Sequence, residues 1–194
     1  MSTPILNINK DCGSTRPEKA QKALLETGAD IGICLDGDAD RVLFIDEQGI
    51  LANGDQVIGL LARAWMKRNL LNKSTVVATV MSNLALELYL EKIGVRLIRT
   101  QVGDKNVSKC MNREGLNLGG EQSGHLILSD YSNAGDGLIT SLQVLSVLVE
   151  SQKKASKVFN LFKPFPQSLI NIDADKCNDF QKNEQIKKRL DNVQ

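Results

Sequence analysis

Short β-rich runs alternate with amphipathic helical patterns along most of this sequence, and that alternation leaves a layered α/β fold as the expected class. Thr75–Val80 reads as a strand, Ser82 to the stop at Gly94 as a helix, Arg96–Gln101 as a strand and Asp104–Glu114 as a helix. A βαβα run of this kind builds a right-handed crossover with parallel strands. The expected architecture is layered α/β/α domains with mixed, largely parallel sheets.

The flanking segments continue the pattern. Pro17 opens a helix that Gly28 closes, since proline suits the first turn and glycine the C-terminal cap. Ile31–Leu35 and Val42–Asp46 read as strands, and Asp55 to about Asn69 as a helix with one apolar face and Asp55 as its cap. Leu126–Leu128 reads as a short strand and Gly135 to about Ala155 as a long helix, apolar enough to be buried on more than one side. Prolines 164 and 166 break the pattern and predict a linker. A strand from Ser168 to Asp173 and a polar helix ending at Gln194 follow, too little for a core of their own.

Composition excludes several function classes. In 194 residues, 24 basic and 23 acidic side chains give a net charge of +1, and aromatics make up 4%. No field would attract nucleic acid or an anionic membrane, and no stacking platform is available for bases. No apolar run reaches the roughly 18 residues of a membrane span, and the first residues do not read as a signal peptide, so the expected location is cytoplasmic. Cys12, Cys34, Cys110 and Cys177 have neither zinc-site nor disulfide-scaffold spacing and read as reduced thiols. A single histidine, His125, disfavours metal sites built on imidazole pairs and leaves oxygen ligands.

The most informative segment is Asp36-Gly-Asp-Ala-Asp-Arg41, set between two apolar strands. Alternate positions place Asp36, Asp38 and Asp40 on one side. Two unit charges about 4 Å apart repel by about 1 kcal/mol in water and about 4 kcal/mol at an effective dielectric near 20, so the cluster favours a bound cation. An all-oxygen set suits Mg²⁺, Ca²⁺ or Mn²⁺. A calcium EF-hand competes poorly, because its sixth loop position would be Arg41 in place of the required glycine. Solvated aspartates on a surface turn remain the plainer alternative.

A second polar loop, Gly119-Gly-Glu-Gln-Ser-Gly-His125, leads into the strand at Leu126. Its glycines admit close approach to a ligand, and the alternation of Glu121, Ser123 and His125 projects them together. Carboxylate and hydroxyl groups suit sugar hydroxyls, although a structural turn with a hydrogen-bonded histidine has the same appearance. Val102-Gly-Asp-Lys-Asn-Val107 opens a helix where amides and Lys105 meet anions, with Asp104 reading first as a cap. Ala134-Gly-Asp-Gly137 precedes the long helix, Asp136 again reading as a cap.

In order, DGDADR (36–41), NGDQ (53–56), VGDKNV (102–107), GGEQSGH (119–125) and AGDG (134–137) resemble the α-D-phosphohexomutase superfamily, and within it the bacterial phosphoglucosamine mutase group. The resemblance runs from about Asn7 to about Ile172. It implies that residues 1–52 form the C-terminal part of a metal-binding second domain, 53–161 a sugar-recognising third domain, and 162–194 the start of a fourth. It implies Mg²⁺ on Asp36, Asp38 and Asp40, Arg41 beside the reacting phosphate, and Glu121 and Ser123 on sugar hydroxyls with His125 close by.

The implied activity interconverts glucosamine 6-phosphate and glucosamine 1-phosphate through a bisphosphate and a phosphoserine. GEQSGH favours the amino sugar, and so does VGDK, where relatives usually have VGDR followed by Tyr; this chain has Asn106 at that last position. No T-A-S-H-N-P-like serine loop and no R-P-S-G-T-E-P-like phosphate loop occurs in the sequence, so no residue here is a candidate catalytic serine. The expectation is a chain inactive alone, which self-associates or takes the missing parts from a second chain. A non-catalytic metal- and sugar-phosphate-binding remnant, and a phosphomannomutase or phosphoglucomutase, are the alternatives.

Overall fold

The computed structural model describes residues 9–168. Helix α1 (Glu18–Thr27) ends at Gly28, whose φ of 67° lets its N–H reach the carbonyl of Leu24. Strands β1 (Ile31–Leu35), β2 (Val42–Asp46) and β3 (Leu51–Ala52) form an antiparallel sheet in that order. Helix α2 (Gly54–Lys67) leads to the second sheet, made of β4 (Thr75–Thr79), β5 (Arg96–Thr100), β6 (Leu118–Gly120) and β7 (Leu126–Leu128). Its order is β5-β4-β6-β7, with α3 (Leu84–Lys92) joining β4 to β5 and α4 (Asp104–Glu114) joining β5 to β6.

The expected parallel crossover is present: β4 runs parallel to both β5 and β6. The α/β class therefore stands, with parallel pairing confined to the second sheet. Each sheet ends in an antiparallel hairpin, β1–β2 and β6–β7, and each hairpin encloses one of the two polar loops. Among the described residues β6 is paired on both sides, whereas β1 has β2 on one side only.

Helix α2 explains why the two sheets share a core. Its apolar positions recur at helical spacing, and a single cluster joins Phe44 of β2, Ile58 and Trp65 of α2, Val76 of β4 and Leu126 of β7. Helix α5 (Gly137–Ser151) and helix α6 (Ala155–Phe159) add Val144 and Phe159, the Phe159 ring 5.7 Å from that of Phe44. Under α4 a second cluster gathers Val77, Val107, Met111 and Ile127. Cys34 and Cys110 are buried thiols, and burial pushes the Cys34 thiol pKa up; Cys177 lies outside the described residues.

Four expectations change. Asp55 does not cap α2: Asn53 does, accepting from the amides of Asp55 and Gln56 while the Gln56 side chain accepts from the Asn53 amide. Asp55 is instead turned inward and buried. Asp104 is the first helical residue of α4, Gly103 holding the cap position. The long helix expected from Gly135 to about Ala155 breaks at Gln152, whose left-handed φ of 50° ends α5 before α6 begins. Its apolar surface is also not buried all round, since Leu138, Leu142 and Val149 are exposed. Helical periodicity counts apolar residues without saying which faces find partners. Asp136 does cap α5, accepting from the amide of Ile139 at 2.8 Å. The strand expected at Ser168–Asp173 and the final helix lie outside the described residues, Ser168 excepted.

Candidate functional site

The acidic loop is a tight turn between β1 and β2. Ala39 takes a left-handed φ of 58°, and its N–H bonds back to the Asp36 carbonyl at 3.2 Å. This turn carries Asp36, Asp38 and Asp40 to one place, each offering an oxygen within 4.8 Å of the others. Oxygens on one octahedral Mg²⁺ at about 2.1 Å stand about 3–4 Å apart, so the donor set and its spacing fit a hard divalent cation after small side-chain rotations. Asp36 also accepts from the Arg41 amide at 3.1 Å, and the Arg41 guanidinium lies 3.8 Å from Asp36 and 3.9 Å from Asp40.

Burial, then the hydrogen bond and charge of Asp36, raise the Asp40 carboxyl pKa above the ordinary aspartate value; Asp38 adds to the rise and His125 opposes it. The His125 ring is 8% exposed, with Nδ1 3.1 Å from Oδ2 of Asp40. It packs so closely over Gly135 that a Cβ there would lie 2.3 Å from the imidazole.

The glycine-rich loop does not project its three polar side chains together. The Gly124 amide bonds to the Glu121 carbonyl at 3.0 Å and Gly124 has a φ of 94°, so the segment turns where alternation assumes an extended chain. Ser123 is exposed and lines a cleft of about 800 Å³ shared with Arg41, Asn53, Asn83, Gln122 and Phe165. His125 lines a second cavity of about 520 Å³ with Asp40, Lys105, Lys109 and Gly135. Oε1 of Glu121 accepts from the Gly103 amide at 3.0 Å.

Four of the five sequence motifs converge through main-chain contacts, and the fifth, at 102–107, joins them through the Glu121 side chain on the Gly103 amide. Arg41 and His125 pair as an isolated antiparallel bridge, and the Val42 amide bonds to the Gly124 carbonyl at 3.0 Å. The Gly137 amide bonds to the Ala39 carbonyl at 2.8 Å, and the Gly54 amide to the Gln122 carbonyl at 3.0 Å. Glycine is required at position 54, because a Cβ would lie 2.0 Å from the Glu121 carbonyl oxygen. Sequence reading did not place Gln122, Asn53 or Asn83 in the cleft, nor Lys109 in the cavity that Asp40 lines. Asn53 and Asn83 carry helix-capping signals that conceal their second position on the cleft wall.

Residues 53–165, more than half of the chain, match the family described as phosphoglucomutase/phosphomannomutase, α/β/α domain III. The chain is 58% identical over 167 residues to a phosphoglucosamine mutase of Zymomonas mobilis, covering 86% of this chain and 38% of that protein. It is 56% identical over 166 residues to one from Parvibaculum lavamentivorans, covering 86% and 37%. It thus spans less than two fifths of these curated relatives. Its fold matches a phosphoglucomutase/phosphomannomutase family protein of Burkholderia thailandensis with a TM-score of 0.69 at 24% identity, over 80% of this chain and 33% of that one. It also matches an Aspergillus fumigatus N-acetylphosphoglucosamine mutase, solved with GlcNAc-6P and magnesium, with a TM-score of 0.64 at 21% identity, over 81% and 38%. A phosphoglucomutase/phosphomannomutase-type α/β/α domain accounts for most of these residues, and the chain belongs to that family.

Proposed function

We propose that this chain carries the cation-binding and sugar-recognising parts of a phosphoglucosamine-mutase-type site, taking glucosamine 6-phosphate and glucosamine 1-phosphate as its ligands. The observation that carries the reading is the Arg41–His125 bridge, which holds the acidic loop against the glycine-rich loop. The identity to phosphoglucosamine mutases supports the amino sugar, and the magnesium and GlcNAc-6P in the Aspergillus protein support the classes of ligand.

Asp36, Asp38 and Asp40 hold Mg²⁺, which when bound offsets charge on a phosphoryl group. Arg41, anchored beside Asp36 and Asp40, presents guanidinium donors to phosphate oxygens at the mouth of the cleft. Ser123 donates to and accepts from sugar hydroxyls. Glu121 keeps one oxygen on the Gly103 amide, so its second oxygen is available to accept from the sugar. His125 stays against Asp40 and orients that carboxylate. On this reading residues 1–52 belong to a metal-binding unit, 53–161 to a sugar-recognising unit and 162–194 to the start of a further one.

Phosphoryl transfer through a bisphosphate needs a phosphorylated serine, and no segment of these 194 residues matches the loop that carries it. Binding of the cation and of the sugar phosphate is therefore the property to test on these 194 residues. Calorimetry tests the reading. The chain should bind Mg²⁺ and then glucosamine 6-phosphate, and replacing Asp36, Asp38 and Asp40 together by Asn should abolish the Mg²⁺ heat. Mg²⁺ binding unchanged in that variant overturns the metal assignment; a preference for glucose or mannose phosphates overturns the sugar assignment.

A further inference from the structure

Asp55 is 1% exposed, at the second position of α2, and its carboxylate plays no part in the cap it was expected to form. A buried carboxylate is costly unless its oxygens are met by donors. Here two donors from different parts of the chain converge on one oxygen, Oδ2, the Asn83 amide at 2.8 Å and Nε2 of Gln122 at 3.2 Å, while Oδ1 has no hydrogen-bond partner among the described residues. Gln122 belongs to the glycine-rich loop, which the Gly54 amide also grips. Asn83 begins α3, and its side chain does two jobs. Oδ1 caps α3 by accepting from the Ala85 amide and also accepts from the Phe165 amide, both at 3.0 Å. Nδ2 donates to the Phe165 carbonyl at 2.9 Å and to Oε1 of Gln167 at 3.3 Å.

Two walls of the 800 Å³ cleft are thus tied together through Asp55 and Asn83. One is the loop bearing Ser123; the other is the segment from Pro164 to Ser168. Nothing else among the described hydrogen bonds joins Gln122 to Asn83.

We propose that Asp55 is a positioning residue whose carboxylate locks the Glu121–His125 loop to the Phe165–Gln167 wall, so that both walls tighten together when a sugar phosphate enters the cleft. The ligand part of this inference rests on the function proposed above; the mechanical coupling does not. Asp55 touches no ligand and acts through Gln122 and Asn83.

Hydrogen exchange on the full chain, read by mass spectrometry, tests the coupling. Asp55→Ala removes the shared acceptor and should raise exchange tenfold or more at Asn83, across residues 121–124 and at Phe165, with Val76–Ala78 of β4 unchanged. Asp55→Asn keeps an acceptor oxygen and should restore exchange to within threefold of the parent protein. Loosening of one wall only, or of β4 as well, overturns the proposal. Should Asp55→Ala fail to fold, Gln122→Leu replaces it: a threefold or greater rise at Phe165 supports the coupling, and no change there refutes it. Saturating glucosamine 6-phosphate should protect both walls in the parent protein and in Asp55→Asn, but only residues 121–124 in Asp55→Ala; protection of both walls in Asp55→Ala also refutes it. If the parent protein shows no protection by the sugar phosphate, the assigned ligand is wrong, while the exchange measured without ligand still decides the role of Asp55.

Discussion

The main chains of Arg41 and His125 pair across the two sheets, and each residue immediately precedes the second strand of its hairpin. The acidic loop and the glycine-rich loop therefore occupy equivalent positions in two similar hairpins that face one another. Their juxtaposition is held by backbone hydrogen bonds, which do not depend on side-chain rotamers. Substitutions at the acids should accordingly alter binding with little change in the fold.

The raised Asp40 pKa gives the proposed metal site a pH dependence. A cation binds the ionised carboxylate, so Mg²⁺ binding should release a proton from Asp40 at pH values where an ordinary aspartate, near about 3.9, has none left to lose. Affinity should fall as the pH is lowered, starting above that value. Calorimetry in two buffers of different ionisation heat counts the proton, and an affinity flat from pH 7 to 4 would contradict the reading.

Burial raises the Asp55 pKa, outweighing the opposing effects of Asn83, Ser82, Gln122 and Arg99. Between the unfolded value of about 3.9 and the higher folded one, the folded state keeps a proton that the unfolded chain has released, so the cost of the charge is absent below that window and grows across it. The stability of Asp55→Asn relative to the parent protein should therefore improve with rising pH across that window. Urea unfolding at stepped pH measures the difference, and a trend of opposite sign would show that the carboxylate is stabilised by its surroundings.

Gly54→Ala drives a Cβ into the Glu121 carbonyl. Overpacking of this kind costs about 1–3 kcal/mol, more than the gain in helix propensity of about 1 kcal/mol returns. Denaturant unfolding should show the net loss, accompanied by weaker glucosamine 6-phosphate binding with Mg²⁺ binding retained. A variant as stable as the parent would mean that the loop gives way freely.

Gly135→Ala should displace the His125 ring from Asp40, since the added Cβ would meet the imidazole at 2.3 Å. His125 is the sole histidine and is therefore a single, assignable resonance in the NMR spectrum. In the parent protein that resonance should move when Mg²⁺ draws on Asp40; in Gly135→Ala the movement should fall by half or more. Identical titration curves would separate the histidine from the metal site.

Local patterns reveal much of this molecule. Strands β1 and β2 occur at their expected limits, and α4 spans Asp104 to Glu114 as its periodicity requires. Strand β6 is not legible in the sequence because Leu118, Gly119 and Gly120 carry no β signal, and glycine there serves packing: a Cβ on Gly119 would meet the Met111 sulfur at 2.6 Å. The three aspartates are legible as a cluster suited to a cation because like charges held this close repel until a positive charge stands between them. Asp55 departs from its expected role because an aspartate before an apolar helix is ordinarily a cap, and only its neighbours in space distinguish a cap from a buried anchor.

Residue order alone accounts for which segments become helix or strand and for the chemistry each loop carries, since both follow from periodicity and side-chain type over a few positions. Partnership across the chain is a property of the folded state. That Asp40 meets His125 85 positions away, that Glu121 spends one oxygen on Gly103, and that Asp55 joins Gln122 to Asn83 follow from α2 packing against both sheets, which brings remote loops within hydrogen-bond reach. Contacts of such range depend on the whole core closing at once, and no window of neighbouring residues contains them.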